Sequence, residues 1–156
     1  MKLLPYDRFT ICTPDIVPVV LQRLSAKIET AKILQFPDAK LPYYGTISAE
    51  SFNITRNVYR KLFIPVIKGS LETQSQQTVV HIQMSLHPAA IGFLIFLFWF
   101  WHGGFLPIML QDALPIYLRF LFLSTPFGIL FIVWLVFWSE VKKTRSELAD
   151  IIQGQL

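Results

Sequence analysis

His102 stands beside Trp101 and three residues after Trp99, and it is the only histidine in the apolar half of the chain. An imidazole among indoles is the residue type that an axial bond to haem or chlorophyll needs, so His102 is the one cofactor-binding candidate. Such a site also needs a buried, oriented ring and a recognisable partner set, and the sequence offers neither. A histidine at the interfacial end of a helix is the simpler reading, and no cofactor is expected. His81 and His87 lie six residues apart, but no Cys or acidic residue follows at a zinc-site spacing, so no metal site is expected. Cys12 has no second cysteine and no basic neighbour closer than Arg8, which fits an inert, buried or half-buried thiol. Asp112 and Arg119 are seven residues apart; they suit an ion pair across a turn, or the lining of an ion path. No GxSxG, P-loop, HExxH, GxGxxG or paired-carboxylate spacing occurs. The sequence therefore names no catalytic residue, and the expectation is that the chain is not an enzyme.

The elements that would carry these residues follow from where the hydrophobicity lies. The 156 residues are 53% hydrophobic and only 15% charged, which excludes a disordered chain, and a single cysteine excludes a disulfide scaffold. From Pro88 to Trp138, 37 of 51 residues are hydrophobic, whereas Met1 to His87 has 40 of 87. No Asp, Glu, Lys or Arg falls between Glu72 and Asp112, nor between Arg119 and Glu140. A spanning helix needs about 20 apolar residues, so the sequence predicts spans at Pro88 to Leu106 and Leu118 to Trp138. Neither lies where a cleaved signal peptide would. Between them, Pro107, Asp112 and Pro115 predict an interfacial or re-entrant loop from Phe105 to Tyr117, and Pro126 with Gly128 predicts a kink in the second span.

Ten of the 14 Lys and Arg residues precede the first span, and Lys142, Lys143 and Arg145 follow the second. The basic excess predicts that both termini are cytoplasmic. The net charge of +4 then reflects topology and attraction to anionic headgroups rather than nucleic-acid binding, which is not expected.

Residues 1–87 predict an α+β domain with one amphipathic helix on an antiparallel β-meander. Asp15 is placed to cap a helix with Pro18 in its first turn, and Val17, Val20, Leu21, Leu24 and Ile28 form its apolar stripe. Four strands are predicted at Tyr43 to Ser48, Phe52 to Tyr59, Leu62 to Glu72 and Thr78 to Leu86, the last from the alternation of Val80, Ile82, Met84 and Leu86. Pro65 and Gly69 place the third strand at an edge or a bulge. A continuous PH-like barrel is the lesser alternative. Residues 139–156 predict an amphipathic helical tail, with Val141, Leu148 and Ile152 on one side and a need for a surface to dock on. The three regions are thus 1–87, 88–138 and 139–156.

The stretches Met1 to Thr10, Tyr44 to Ser48, Phe63 to Gly69, Met84 to Pro88 and Ile151 to Gly154 resemble a family of small, uncharacterised, mainly cyanobacterial membrane proteins with an N-terminal α+β domain and a transmembrane hairpin. The resemblance covers nearly the whole chain. It implies a thylakoid or plasma-membrane location in a photosynthetic cell and carries over no catalytic residue. Ten of the 14 phenylalanines lie in residues 88–138, a density of rigid rings that suits a hydrophobic partner. The expected role is a non-enzymatic accessory or assembly subunit of a larger membrane complex, with lipid and partner subunits around the hairpin. The alternatives are a homo-oligomeric transport or channel element using Asp112, Arg119 and His102, or a module binding lipid or pigment.

Overall fold

Buried and exposed side chains alternate along most of the N-terminal half, and in the computed structural model, which describes residues 5–30, 41–57, 63–74, 77–105, 107 and 115–155, this alternation forms one sheet. Among the described residues the strands are β1 (Tyr6–Thr13), β2 (Ile28–Thr30), β3 (Tyr43–Ile47), β4 (Ser51–Arg56), β5 (Pro65–Gln74) and β6 (Gln77–Leu86). The helices are α1 (Val17–Ser25), α2 (Pro88–Phe100) and α3 (Ile116–Ile152), and α2 runs on into a π-helical turn at Trp101–Phe105. The sheet order is β1-β6-β5-β4-β3-β2, antiparallel except where β2 lies parallel to β3. This is an α+β fold with a mixed sheet.

Phe9 and Ile11 of β1, Phe52 and Ile54 of β4, Ile67 and Leu71 of β5, and Val80, Ile82 and Met84 of β6 all point to one face. Two helices cover that face. α1 contributes Val20 and Leu24, and α3 contributes Phe137, Val141, Leu148 and Ile152. The tail from Ser139 onward is thus the continuation of α3, and its apolar stripe is buried against the sheet of the same chain.

Several expectations are corrected. The meander β3-β4-β5-β6 is extended by β1 beside β6 and by a parallel β2 beside β3, so the sheet is mixed rather than purely antiparallel, and it carries two helices rather than one. α1 ends at Ser25, so Ile28 belongs to β2 and not to the helical stripe. Ile16, not Asp15, is the N-cap, and Asp15 instead pairs with Arg23 at 2.6 Å. β5 is not an edge strand but lies between β4 and β6. Pro65 is its first residue, where a missing N–H is tolerated. Gly69 is required for packing: a Cβ there would overlap the ring of Phe52 on the neighbouring strand. Cys12 is exposed, because β1 turns its even-numbered side chains away from the core.

His87 is the whole connection between β6 and α2. Its Nδ1 accepts a hydrogen bond from the backbone N–H of Ala89 at 3.1 Å, and Pro88 fills the first helical turn, so strand becomes helix without a linker. At the other end, Gln153 turns left-handed (φ 53) to stop α3, and Arg23 Nη1 donates to the free carbonyl of Ile152 at 3.3 Å. Gly154 then lies so close to β1 that a Cβ would strike Ile11. Gln155 and Cys12 exchange backbone hydrogen bonds of 2.9 and 3.0 Å, so the C-terminus joins the outer edge of β1.

α2 with its π turn (18 residues) and α3 (37 residues) are each long and apolar enough to cross a membrane. At 1.5 Å per residue α3 is about 55 Å long, well beyond the ~30 Å of a hydrocarbon core. The predicted Pro126 lies inside α3 and is buried. Proline has no N–H for the carbonyl four residues earlier, that of Phe122. The indole N–H of Trp101, from the π turn, donates to this oxygen at 2.9 Å. A carbonyl left bare in apolar surroundings costs several kcal/mol, so Trp101 both satisfies the break and ties α2 to α3.

Candidate functional site

Three features of the described residues bear on function: the aromatic hairpin, a groove below it, and an ionic cluster between α3 and the sheet. Trp101 stacks on Phe122 with ring centroids 5.8 Å apart, and Phe98 meets Phe127 edge-on at 5.9 Å. Trp101 and Phe122 fill the contact between the helices, while Phe98 and Phe127 meet at its exposed margin. Other rings face outward: Trp99 is 77% exposed, and Phe96, Phe100, Phe120 and Phe131 are also exposed. The hairpin therefore has an aromatic contact between its helices and a second aromatic surface that none of the described residues covers.

His102 lies in the π turn between these rings, its imidazole 4.1 Å from the ring of Phe98. Its Nδ1 is 2.9 Å from the Phe98 carbonyl oxygen. A carbonyl only accepts, so Nδ1 carries the hydrogen and the neutral ring keeps its lone pair on Nε2. His81 and His87 are used separately: His87 caps α2, while His81 lies 3.5 Å from Glu72 and 3.3 Å from the Thr10 hydroxyl. Among the described residues no group of three or more His, Cys, Asp or Glu side chains could hold a metal ion. Arg119 lies in the first turn of α3, and Asp112 falls outside the described residues.

Where the hairpin meets the sheet, Leu94 of α2 and Leu130, Phe131, Val133 and Trp134 of α3 wall an apolar groove of ≈ 480 Å³ that ends on Leu86. Below it the chain places a group that sequence reasoning missed. Arg56, at the end of β4, bridges two carboxylates of α3: Nη1 to Glu140 at 3.1 Å and Nη2 to Glu147 at 2.7 Å. Glu140 and Glu147 are seven residues apart, two helical turns, and so share the face that packs on the sheet. Tyr43 of β3 donates its hydroxyl to Glu147 at 2.8 Å. Burial first, then the hydrogen bond and negative charge of Glu147, push the phenol well above its ordinary pKa, with Arg56 opposing. The Arg56 side chain is 14% exposed and that of Glu140 12%. A fork-shaped guanidinium so enclosed fixes the rotation of α3 on the sheet. The cluster thus links the sheet to the helix that rises into the hairpin.

No family model matches the chain, and neither a curated protein nor a solved structure is significantly similar to it.

Proposed function

We propose that the chain is a membrane-anchored, non-enzymatic accessory or assembly subunit of a larger membrane complex, with both termini cytoplasmic and its hairpin in contact with a partner subunit. The observation that carries this reading is the outward aromatic surface of Trp99, Phe96 and Phe100 on α2 and Phe120 and Phe131 on α3. Lipid tails give helices no hydrophobic reason to associate, so association rests on packing, and rigid rings lose little freedom when they pack. The continuation of α3 from the hairpin onto the sheet as one helix supports a second element of the reading. A partner gripping its upper half would hold the sheet at a fixed height and rotation, because the lower half is locked by Phe137, Val141 and Arg56. The resemblance to cyanobacterial membrane proteins would place the complex in a thylakoid or plasma membrane. Gentle detergent extraction followed by a native gel tests the proposal. Migration with a larger complex is expected; a lone chain at 18.0 kDa plus its micelle contradicts it.

One observation favours a second reading, pigment attachment. The Phe98 carbonyl leaves the Nε2 lone pair of His102 available, the arrangement by which a ligating histidine is oriented. Purified protein that carries tetrapyrrole absorption, lost in His102→Leu, is the outcome this reading requires; a colourless preparation discards it. The transport reading rests on Asp112, for which the described residues offer no geometry.

A further inference from the structure

The face of the sheet turned away from α1 and α3 carries its own polar pattern. Gln83 of β6 is paired across the sheet with Arg8 of β1 on one side and Lys68 of β5 on the other. Directly paired residues project from the same face, and strands lie about 4.8 Å apart, so the two cations stand roughly 10 Å apart with the Gln83 amide between them. Two residues further from the hairpin the pattern repeats as Thr10, His81 and Ser70. These rows enclose a concavity of ≈ 220 Å³ walled by Arg8, Lys68, Ser70, His81 and Gln83. Its floor is backbone at Gly69 and Ile82, because the Ile82 side chain is buried on the opposite face.

Four of the wall residues offer a donor, a guanidinium, an ammonium, a hydroxyl and an amide, while both ring nitrogens of His81 are engaged by Thr10 and Glu72. The Arg8 guanidinium sits 5.9 Å from the ring centre of Tyr6, and among the described residues neither Arg8 nor Lys68 forms a salt bridge with a carboxylate. The nearby acid, Glu72, is beside His81. The concavity is therefore complementary to an anion with several acceptor oxygens, and phosphate presents them in the geometry a guanidinium grips.

Position selects the source of that phosphate. Gln83 is five residues before Pro88, the first residue of α2, which is at most about 17 Å along an extended strand. We propose that Arg8 and Lys68 hold the phosphate-bearing headgroup of an anionic lipid from the leaflet beside the anchor. The inference rests on the membrane anchoring in the reading above, not on its partner subunit. Tethering keeps the site permanently beside such headgroups, where each basic residue adds to the attraction.

The test uses the full chain in neutral-lipid nanodiscs titrated with phosphatidylglycerol, with bound lipid counted by native mass spectrometry. One lipid should be retained, and Arg8→Gln/Lys68→Gln should weaken retention about 30-fold, the effect of two basic residues near a membrane surface. Lys142→Gln/Lys143→Gln removes the same charge from the last helix and should weaken it at least several-fold less. Equal losses in the two variants would mean diffuse attraction and overturn the site, as would unchanged retention in the first. Displacement of the lipid by inorganic phosphate at equal concentration would overturn the lipid assignment in favour of a soluble anion. The Arg8/Lys68 variant should still migrate with its partner complex on the native gel, so failure here and failure of the subunit reading give different results.

Discussion

The two halves of α3 both carry large apolar side chains but put them to opposite uses. From residue 133 on, Val133, Phe137, Val141, Leu148 and Ile152 recur at spacings of four or seven and are all buried, while Ser139, Lys142 and Ser146 face out. Above it, Phe120, Leu121, Phe127 and Phe131 are exposed, and Pro126 is the one buried residue up to Ile132. A stripe with a polar reverse side is what a helix shows when water surrounds the rest of it; apolar residues on all sides are what it shows in lipid or against a partner. One helix thus records two solvents, and Trp134 and Trp138 stand at the change, where amphipathic rings favour an interface.

Truncating the lower half should have the largest effect. Phe137→Ala empties a fully buried position and should destabilise the domain by about 3–5 kcal/mol in denaturant unfolding in micelles. The conservative exchange of exposed Phe131 for Leu should leave that transition within about 0.5 kcal/mol. Arg56→Leu removes the cation shared by Glu140 and Glu147 and should cost about 2–3 kcal/mol, less than at a fully buried pair because Glu147 is a third exposed and keeps its hydrogen bond from Tyr43.

In the upper half the sharper test is a cycle. Trp101→Phe deprives the Phe122 carbonyl of its donor and should cost about 1–2 kcal/mol of hairpin stability. In a Pro126→Ala background, where residue 126 regains an N–H, the same exchange should cost clearly less, and equal costs in both backgrounds would separate the indole from the proline break. The smallest effect is confined to high pH. The Tyr43 phenol has a raised folded pKa, so the folded state holds its proton after the unfolded chain has lost it. This contribution is complete below the ordinary phenol value of about 10 and is lost as pH rises through the folded value. A titration of unfolding stability should therefore decline above pH 10, and Tyr43→Phe should decline less.

Much of this contrast was legible in the sequence. The charge-free gaps located the first apolar helix and the start of the second within a few residues, although α3 runs on through the separately drawn tail to Ile152, and the alternation at Val80, Ile82, Met84 and Leu86 marked β6 because half-buried strands have period two. The stripe at Val141, Leu148 and Ile152 signalled that the tail needed a surface. What stayed hidden depended on partners remote in sequence. β2 has only three residues, too few for any period, and forms because β3 offers an edge. Gly69 reads from the sequence as an edge or bulge signal, whereas the Phe52 ring of the neighbouring strand occupies the place of its missing side chain. Glu140 and Glu147 had the right spacing, but nothing announced Arg56 as their partner. Cys12 was assigned by residue type, although the inward run of Asp7, Phe9, Ile11 and Thr13 already implied that it faced out. Trp101 and Pro126 were both noticed, and only the hydrogen bond at Phe122 joined them.

The central claim, that α3 passes from lipid or partner into water along its own length, is tested most directly by accessibility. In a Cys12→Ser background, single cysteines at Phe120, Phe127, Phe131, Ser139, Lys142 and Ser146, all exposed, would carry spin labels in reconstituted bilayers. Labels at the three phenylalanine positions should collide with oxygen and be shielded from a water-soluble nickel complex, and those at the other three should do the reverse. Nickel accessibility at residue 131 equal to that at residue 142 would contradict the account.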